Sequence, residues 1–332
     1  MDSSRKRRTS PTISDVAELA GVSRAIASRA LSSESRPVSA DKRARVLEAA
    51  DKLGFKPNLL ARSLTTKTVN LIAVIVNHIH DFSDLDLFDL LISDIQSIGK
   101  QVIFLRVGSV ERIEEFLRNG VAYHVDAALV FSDFADAESV RKMFRSDDVL
   151  MLNGMHDGSS PSVVPNEAIG IAEAVADAAN KGVATAALVT GRVSSPVEQQ
   201  RITNYKAEMA KRGISLVAEL RGDYSYQSGR SVAQSPEWPT TDAVFCTSDA
   251  MAMGIMDVHR DAFPGNRPER FRLYGFDNLS LTDFEAYPIS SIGYDKKTYV
   301  GEILRFLATP EQFCNGQAEV TVPTFFVPRA TS

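Results

Sequence analysis

The chain has 332 residues, 44% hydrophobic and 24% charged, with a net charge of −5. That length and balance exclude a disordered chain and a single small domain. No run of 18 apolar residues occurs, which excludes a helical membrane span.

The charge is unevenly spread. Residues 1–64 hold 13 Lys+Arg against 7 Asp+Glu, a net +6, and the remainder carries −11. A basic head on an acidic body suits a polyanion at one end, although a solvated charged face gives the same count. Cys246 and Cys314 lie far apart and match no metal-ligand spacing. They make no disulfide framework, so no metal is expected and a reducing cytoplasm is the default. The N-terminal MDSSRKRRTSP has paired arginines without an apolar run behind them, so it does not read as a secretion signal. Residues 1–11 read as a disordered basic arm near phosphates or, equally, as a solvated tail.

Three helices are predicted at about 13–20, 23–31 and 40–53. Ile13, Val16, Ala17 and Ala20 fall at i, i+3, i+4 and i+7, which makes one apolar face. Thr12 stands at an N-cap position with Asp15 three residues on, and Gly21 suits a left-handed helix end. Ser23 is placed to cap a second helix whose outward face carries Arg24, Ser28 and Arg29. The third helix is expected to bury Val46, Leu47, Ala50 and Leu53 against Ile13, Val16, Val22, Ile26 and Leu31. A short helix, a tight turn and a second helix carrying Arg and Ser is the form of a major-groove reader. Many small three-helix units, however, bind nothing.

Further residues narrow the choice: DVAELAGVSR, then Ser28-Arg29-Ala30-Leu31, VS at 38–39, VLEAADKLGF at 46–55 and PNLLARSL at 57–64. This run of more than fifty residues resembles the DNA-binding headpiece of the LacI/GalR family of transcriptional regulators. The resemblance implies a headpiece at 12–56 and a hinge helix and linker at 57–68. Arg24, Ala25 and Arg29 then become the specificity residues, with Ser23 and Ser28 nearer the DNA backbone. Arginine can offer two donors to O6 and N7 of guanine, whereas alanine at most packs on a thymine methyl. Many relatives have T-V-S-R where this chain has Ile26-Ala27-Ser28-Arg29, so operator details do not carry over. In the family the hinge helix folds on cognate DNA, and a leucine wedges into the minor groove. The matching residue is Leu64, with Asn58 and Arg62 as phosphate partners. Such a wedge trades unstacking for a bent duplex, and so short a helix is unstable alone. The family binds a near-palindromic operator as a dimer. The chain ends in VPTFFVPRATS without heptads, which favours a homodimer over a tetramer.

After Asn70 apolar runs of strand length recur at 71–76, 101–107, 127–131, 149–153, 186–191, 243–248 and 271–276. Amphipathic stretches such as Phe88, Leu91, Ile92 and Ile95 lie between them. Buried strands alternating with helices predict an α/β body of two doubly wound parallel-sheet lobes over 69–332. The resemblance implies a periplasmic-binding-protein-like core behind the all-α helix-turn-helix domain. Its first lobe would be about 69–163 with a return near 293–320, and its second about 164–290 plus the last strand.

A cleft between two such lobes is a ready ligand site. By family position, Arg201 in Arg201-Ile-Thr-Asn-Tyr205 would hold a ligand oxygen or carboxylate through its fork, with Asn204 where a glycine is usual. Tyr224 would stack on a sugar or base, Asp249 follows Ser248 in TSDAMAMG, and Asp277 in YGFDN would accept from a ligand. Asn166 and Asn153 are weaker candidates. Relatives often have D-x-x-N-P-F-F after the first strand; here the segment reads His78-Ile79-His80-Asp81-Phe82-Ser83-Asp84, with Ser83 and Asp84 replacing the aromatics. Tyr294 stands where glutamine is common. Losing aromatics and gaining a carboxylate predicts a polyhydroxylated or cationic ligand over a flat base. Each residue also has an ordinary reading: Asp249 as a helix cap, Tyr224 as core, the histidines as solvated loop.

The leading expectation is a DNA-binding transcription regulator, a repressor, whose interlobe cleft takes a sugar-like effector. Two others stay open: a regulator whose cleft is vestigial or senses a protein, and a solute-binding protein or enzyme on the same lobes. No dinucleotide fingerprint, phosphate loop or nucleophile elbow occurs, so neither cofactor nor catalysis is expected.

Overall fold

A computed structural model describes residues 11–31, 37–55, 69–77, 82–144 apart from 119–123, 146–152, 157–192, 195–266, 268–313 and 319–332. The side chains of 82–84, 110 and 116–118 lie outside it as well. The chain divides into two compact units, Met1–Val69 and Asn70–Ser332.

The first unit contains α1 (Ile13–Ala20), α2 (Arg24–Ala30) and α3 (Ala40–Leu53). A capping box starts α1: the Thr12 amide donates to Asp15 Oδ2 at 2.7 Å, and the Asp15 amide to Thr12 Oγ1 at 3.4 Å. Gly21 ends α1 at φ +60°, a conformation that disfavours a Cβ. There a Cβ would also lie 2.7 Å from the guanidinium of Arg45. The Ser23 hydroxyl accepts from the Ile26 amide at 3.3 Å and opens α2.

The core of this unit is Val16, Val46 and the alanines at 17, 20, 27, 30, 49 and 50. Small side chains let the helices approach closely, but each buries little area. Two arginines on α3 add polar ties: Arg43 donates to the Ala30 carbonyl at 3.1 Å and Arg45 to the Ala20 carbonyl at 2.5 Å, satisfying helix-end acceptors. The buried stripe of α3 differs from the expected one. Leu47 is 50% exposed and Ala49 takes its place. The period explains this: Val46, Ala49, Ala50 and Leu53 share one face, whereas Leu47 is rotated about 100° from Val46. Ile26 is half-buried and outside the core cluster, and Ala27 is the fully buried residue of α2.

Among its described residues the second unit has eleven strands: β1 (Leu71–Val76), β2 (Gln101–Arg106), β3 (Ala127–Val130), β4 (Val149–Met151), β5 (Ser162–Asn166), β6 (Thr185–Thr190), β7 (Ser215–Arg221), β8 (Ala243–Cys246), β9 (Arg272–Phe276), β10 (Ser290–Tyr294) and β11 (Glu319–Val327). Its helices are α4 (Phe82–Ser97), α5 (Val110–Arg118), α6 (Ala137–Phe144), α7 (Glu167–Asn180), α8 (Pro196–Lys211), α9 (Tyr226–Ala233), α10 (Asp249–Val258), α11 (Lys296–Ala308) and α12 (Pro310–Phe313). The strand order is β2-β1-β3-β4-β5-β11-β10-β9-β8-β6-β7. Every pairing is parallel except β10 with β11. The fold is α/β with two doubly wound lobes.

The last strand belongs to both lobes, not to the second alone. Glu319–Pro323 runs parallel to β5, and Thr324–Val327 runs antiparallel to β10. The first lobe's core joins Ile72, Val74, Leu91 and Ile95 to the returning α11 through Tyr299, Val300, Ile303 and Phe306. The second lobe's cores lie around Val189, Val244, Met251 and Leu273, and around Ile171, Leu188, Tyr205 and Phe245. Four strands, β5, β7, β10 and β11, had no apolar run to mark them. β7 alternates exposure as a half-covered edge does, β5 contains Pro165, and β10 is built on small residues.

Candidate operator surface and interlobe cleft

On α2 the side chains of Ser23, Arg24, Ala25, Ser28 and Arg29 are all exposed. Among the described residues neither Arg24 nor Arg29 has a hydrogen-bond or ion-pair partner. The Ser23 hydroxyl is occupied as an acceptor by the Ile26 amide but keeps its own proton to donate. The outward face of α2 is thus a small basic surface with open donors. Asn58, Arg62 and Leu64 of the expected hinge lie outside the described residues, as do residues 1–10, His78, His80, Asn153 and Cys314.

In the second unit a cavity of about 630 Å³ opens at the C-terminal ends of the strands of both lobes. The first lobe contributes Leu87, Phe131 and Leu152, and α11 Tyr299. The second contributes Pro196, Gln200, Arg201 and Asn204 from α8, with Phe276 at the end of β9 and Asp277 just after it. The crossing segments supply Asn166, Glu167, Tyr294, Glu319 and Thr321. Beside the cavity the lobes touch: the Ser280 amide and hydroxyl both donate to Asp86 at 3.0 Å, and Ser195 donates to Asp133 at 3.4 Å.

Arg201, expected to grip a ligand, already grips a carboxylate of its own chain. Its Nε donates to Glu167 Oε2 at 2.9 Å and its Nη2 to Glu167 Oε1 at 2.5 Å, a bidentate pair. Its Nη1 donates to the Thr247 carbonyl at 2.8 Å, and its plane lies 3.8 Å over the ring of Phe276. Burial alone would lower the guanidinium's pKa, but Glu167 and then Glu198 outweigh it and hold it well above the ordinary value. Glu198 is fully buried. It accepts from the Gly191 amide at 2.5 Å, Thr247 Oγ1 at 2.7 Å and the Tyr224 hydroxyl at 2.9 Å.

Tyr224 therefore does not face the cavity. At φ +74° its backbone turns the ring back over Gly191, where a Cβ would lie 1.9 Å from it. Asp249 is also elsewhere: it is fully buried, accepting from the Leu279 amide at 2.8 Å and Ser291 Oγ at 2.6 Å. Burial raises its pKa to about 7. The cap of α10 is Ser248, whose hydroxyl accepts from the Met251 amide.

Asp277 does line the cavity, on a turn with φ +103° at Asp277 and +45° at Asn278. Arg329 braces that turn by donating to Asn278 Oδ1 at 2.7 Å and to the Ile289 carbonyl at 2.9 Å. Desolvation pushes the Asp277 carboxyl well above the usual range; Arg201 opposes this, and Asp249 adds to it. Asn166 is exposed at the cavity wall. Ser83 and Asp84 fall within α4, but their side chains lie outside the described residues. Sequence reasoning missed Glu167, Glu198 and Arg329. Glu198 stands one helical turn before Arg201, the only signal available; the others act across long sequence gaps.

Two family models match the chain: bacterial regulatory proteins of the lacI family over residues 12–58, and a periplasmic binding protein-like domain over residues 175–332. The chain thus carries a helix-turn-helix domain of the LacI family and a periplasmic binding protein-like domain. It is a DNA-binding transcriptional regulator. Similar curated relatives include catabolite control protein A of Priestia megaterium, 29% identical, with 85% of this chain and 86% of that protein aligned. Another is the HTH-type transcriptional regulator AscG of Escherichia coli K12, 27% identical over 88% and 90%. Among solved structures, the lac repressor dimer bound to operator and the anti-inducer ONPF superposes with a TM-score of 0.83 at 22% identity, covering 97% of this chain and 99% of that one. The fold of this chain is similar to that of the lac repressor. Among the described residues, no helix is long and apolar enough to cross a membrane.

Proposed function

We propose that this chain is a LacI-family repressor that binds a near-palindromic operator as a homodimer and is controlled by a small polar ligand in the interlobe cleft. The observation that carries the reading is the outward face of α2, where Arg24 and Arg29 keep open donors. Arginine forks read guanine edges, and Ser23 and Ser28 suit phosphate oxygens. Ala25 leaves room for a base methyl. A two-fold dimer reads two half-sites of one symmetric operator. Asn58, Arg62 and Leu64 are assigned to the hinge by their family positions.

The cleft supports the second half of the reading. A cavity of about 630 Å³ between lobes has the size of a small-molecule site. Arg201, Asp277 and Asn166 line it, and the lobes meet beside it through Asp86 and Ser280. A ligand that favours one lobe arrangement changes the affinity for DNA by the difference in its affinity for the two arrangements. Tyr224 and Asp249 serve that site from behind, as packing and support; Ser83 and Asp84 keep their assignment by family position only. The chain is a binding protein rather than an enzyme, and its place of action is the cytoplasm, at the nucleoid.

Fluorescence anisotropy tests this. The full-length chain is titrated onto a palindromic duplex with a central CG step and onto a scrambled duplex, across a salt series. Selective binding that weakens steeply with salt is expected, because phosphate contacts release counterions. Equal affinity for both duplexes at every salt concentration would remove the operator reading.

A further inference from the structure

Among the described residues, four charged side chains line the cleft: Glu167, Asp277 and Glu319 against Arg201. Arg201 is no free cation. Both arms of its fork are taken by Glu167, at 2.9 and 2.5 Å, and its face is stacked on Phe276. The pair presents no net charge to a ligand, and a ligand carboxylate or phosphate would have to evict Glu167 first. Asp277, by contrast, has no hydrogen-bond partner for its carboxyl group among the described residues. It sits half-buried on a turn braced by Arg329, so its position does not depend on a ligand.

We propose that the cleft takes a polyhydroxylated ligand carrying an ammonium group, held at Asp277, and rejects anionic forms of the same ligand. This deepens the sensor role proposed for the cleft and rests on it. The physical reason is the cost of burying an unpaired charge. An anion in this cleft finds no free cation among the described lining residues: Arg201 is spent on Glu167, and the other two charged residues, Asp277 and the solvent-exposed Glu319, are acidic. An ammonium group meets an unpartnered carboxyl, and the Asn166 amide and the Gln200 carbonyl oxygen remain for hydroxyls, Gln200 Nε2 donating to Asn204 Oδ1 at 3.0 Å. Burial holds the empty Asp277 carboxyl in its protonated form to a higher pH than usual. The arriving ammonium favours the carboxylate, so binding expels one proton to solvent.

The test is isothermal titration calorimetry of the full-length protein at pH 6.5, in phosphate and in HEPES. Its probes are three matched sets, each an amino sugar, its parent hexose and the corresponding sugar acid, built on glucose, galactose and mannose. The expected result is at least tenfold tighter binding of one amino sugar than of its parent hexose. No binding of its acid is expected, and a buffer-dependent heat should report proton release. Asp277→Asn should abolish both the preference and the proton release, with duplex binding intact as the check on folding. Glu167→Gln should free Arg201 and admit the acid. Equal or tighter binding of the parent hexose, or binding of the acid by the unaltered protein, overturns the inference and leaves the sensor reading standing. Silence across all nine probes, with duplex binding intact, overturns both.

Discussion

Arginine is used in opposite ways in the two units. On α2, Arg24 and Arg29 are exposed and have no partners among the described residues, so their donors are available to another molecule. In the cleft, Arg201 is buried, held by Glu167, the Thr247 carbonyl and Phe276, with Glu198 Oε2 3.7 Å away. The first arrangement costs the protein nothing in desolvation until DNA arrives. The second has already exchanged water for a fixed set of internal partners. Matching a family arginine by position therefore says where a guanidinium is, and its partners say whether it is free to recognise anything.

The sharpest way to break this contrast is to take a partner from the buried arginine. Glu198→Ala removes the acceptor of three hydrogen bonds and leaves Arg201 undercompensated. Loss of about 3–5 kcal/mol in urea denaturation is expected, the usual result of breaking a buried pair from one side. Arg29→Ala should leave that denaturation curve within about 0.5 kcal/mol of the unaltered protein. It should cost about 1–3 kcal/mol in operator affinity by anisotropy, with little change on the scrambled duplex. A variant that lost both stability and affinity would show α2 to be structural.

Within the first unit, Val46→Ala should cost about 1–3 kcal/mol, whereas Leu47→Ala should stay within about 0.5 kcal/mol, because Leu47 is half exposed. Melting of the two variants, followed by circular dichroism, separates them. A pH dependence is expected as well. Burial raises Asp249 from 3.8 to about 7, so the folded protein resists the ionisation that the unfolded chain undergoes freely. The stability tied to this group is therefore full below about pH 4 and lost as pH rises through about 7. Asp249→Asn should flatten the stability profile across that window; an unchanged slope would show that the group does not titrate there.

The headpiece was legible because its determinants are local. The Thr12–Asp15 box, the Gly21 stop and the Ser23 cap are spaced three or four residues apart or at a single left-handed position, and each appears in the structure where the spacing put it. Leu47 shows the limit of that legibility: two adjacent apolar residues both look buried until the period of the helix is followed strictly. In the second unit the central strands were readable as apolar runs. β7 and β11 were not, because one face of each is exposed and alternation over so few residues is a weak signal.

The cleft was legible only in part. Arg201 and Asp277 were found and do line the cavity. Tyr224 and Asp249 were found by the same reasoning, yet the backbone turns the first onto Gly191 and Glu198 and buries the second against Ser291. What the sequence by itself determined was the class of the protein: a basic helix-turn-helix unit followed by an α/β body, written in caps, periods and charge balance over short windows. What the tertiary structure alone decided was the charge state of the cleft. Glu167 lies 34 residues from Arg201, and Arg329 lies 51 from Asn278. Electrostatic pairing depends on distance in space, and no local pattern encodes it.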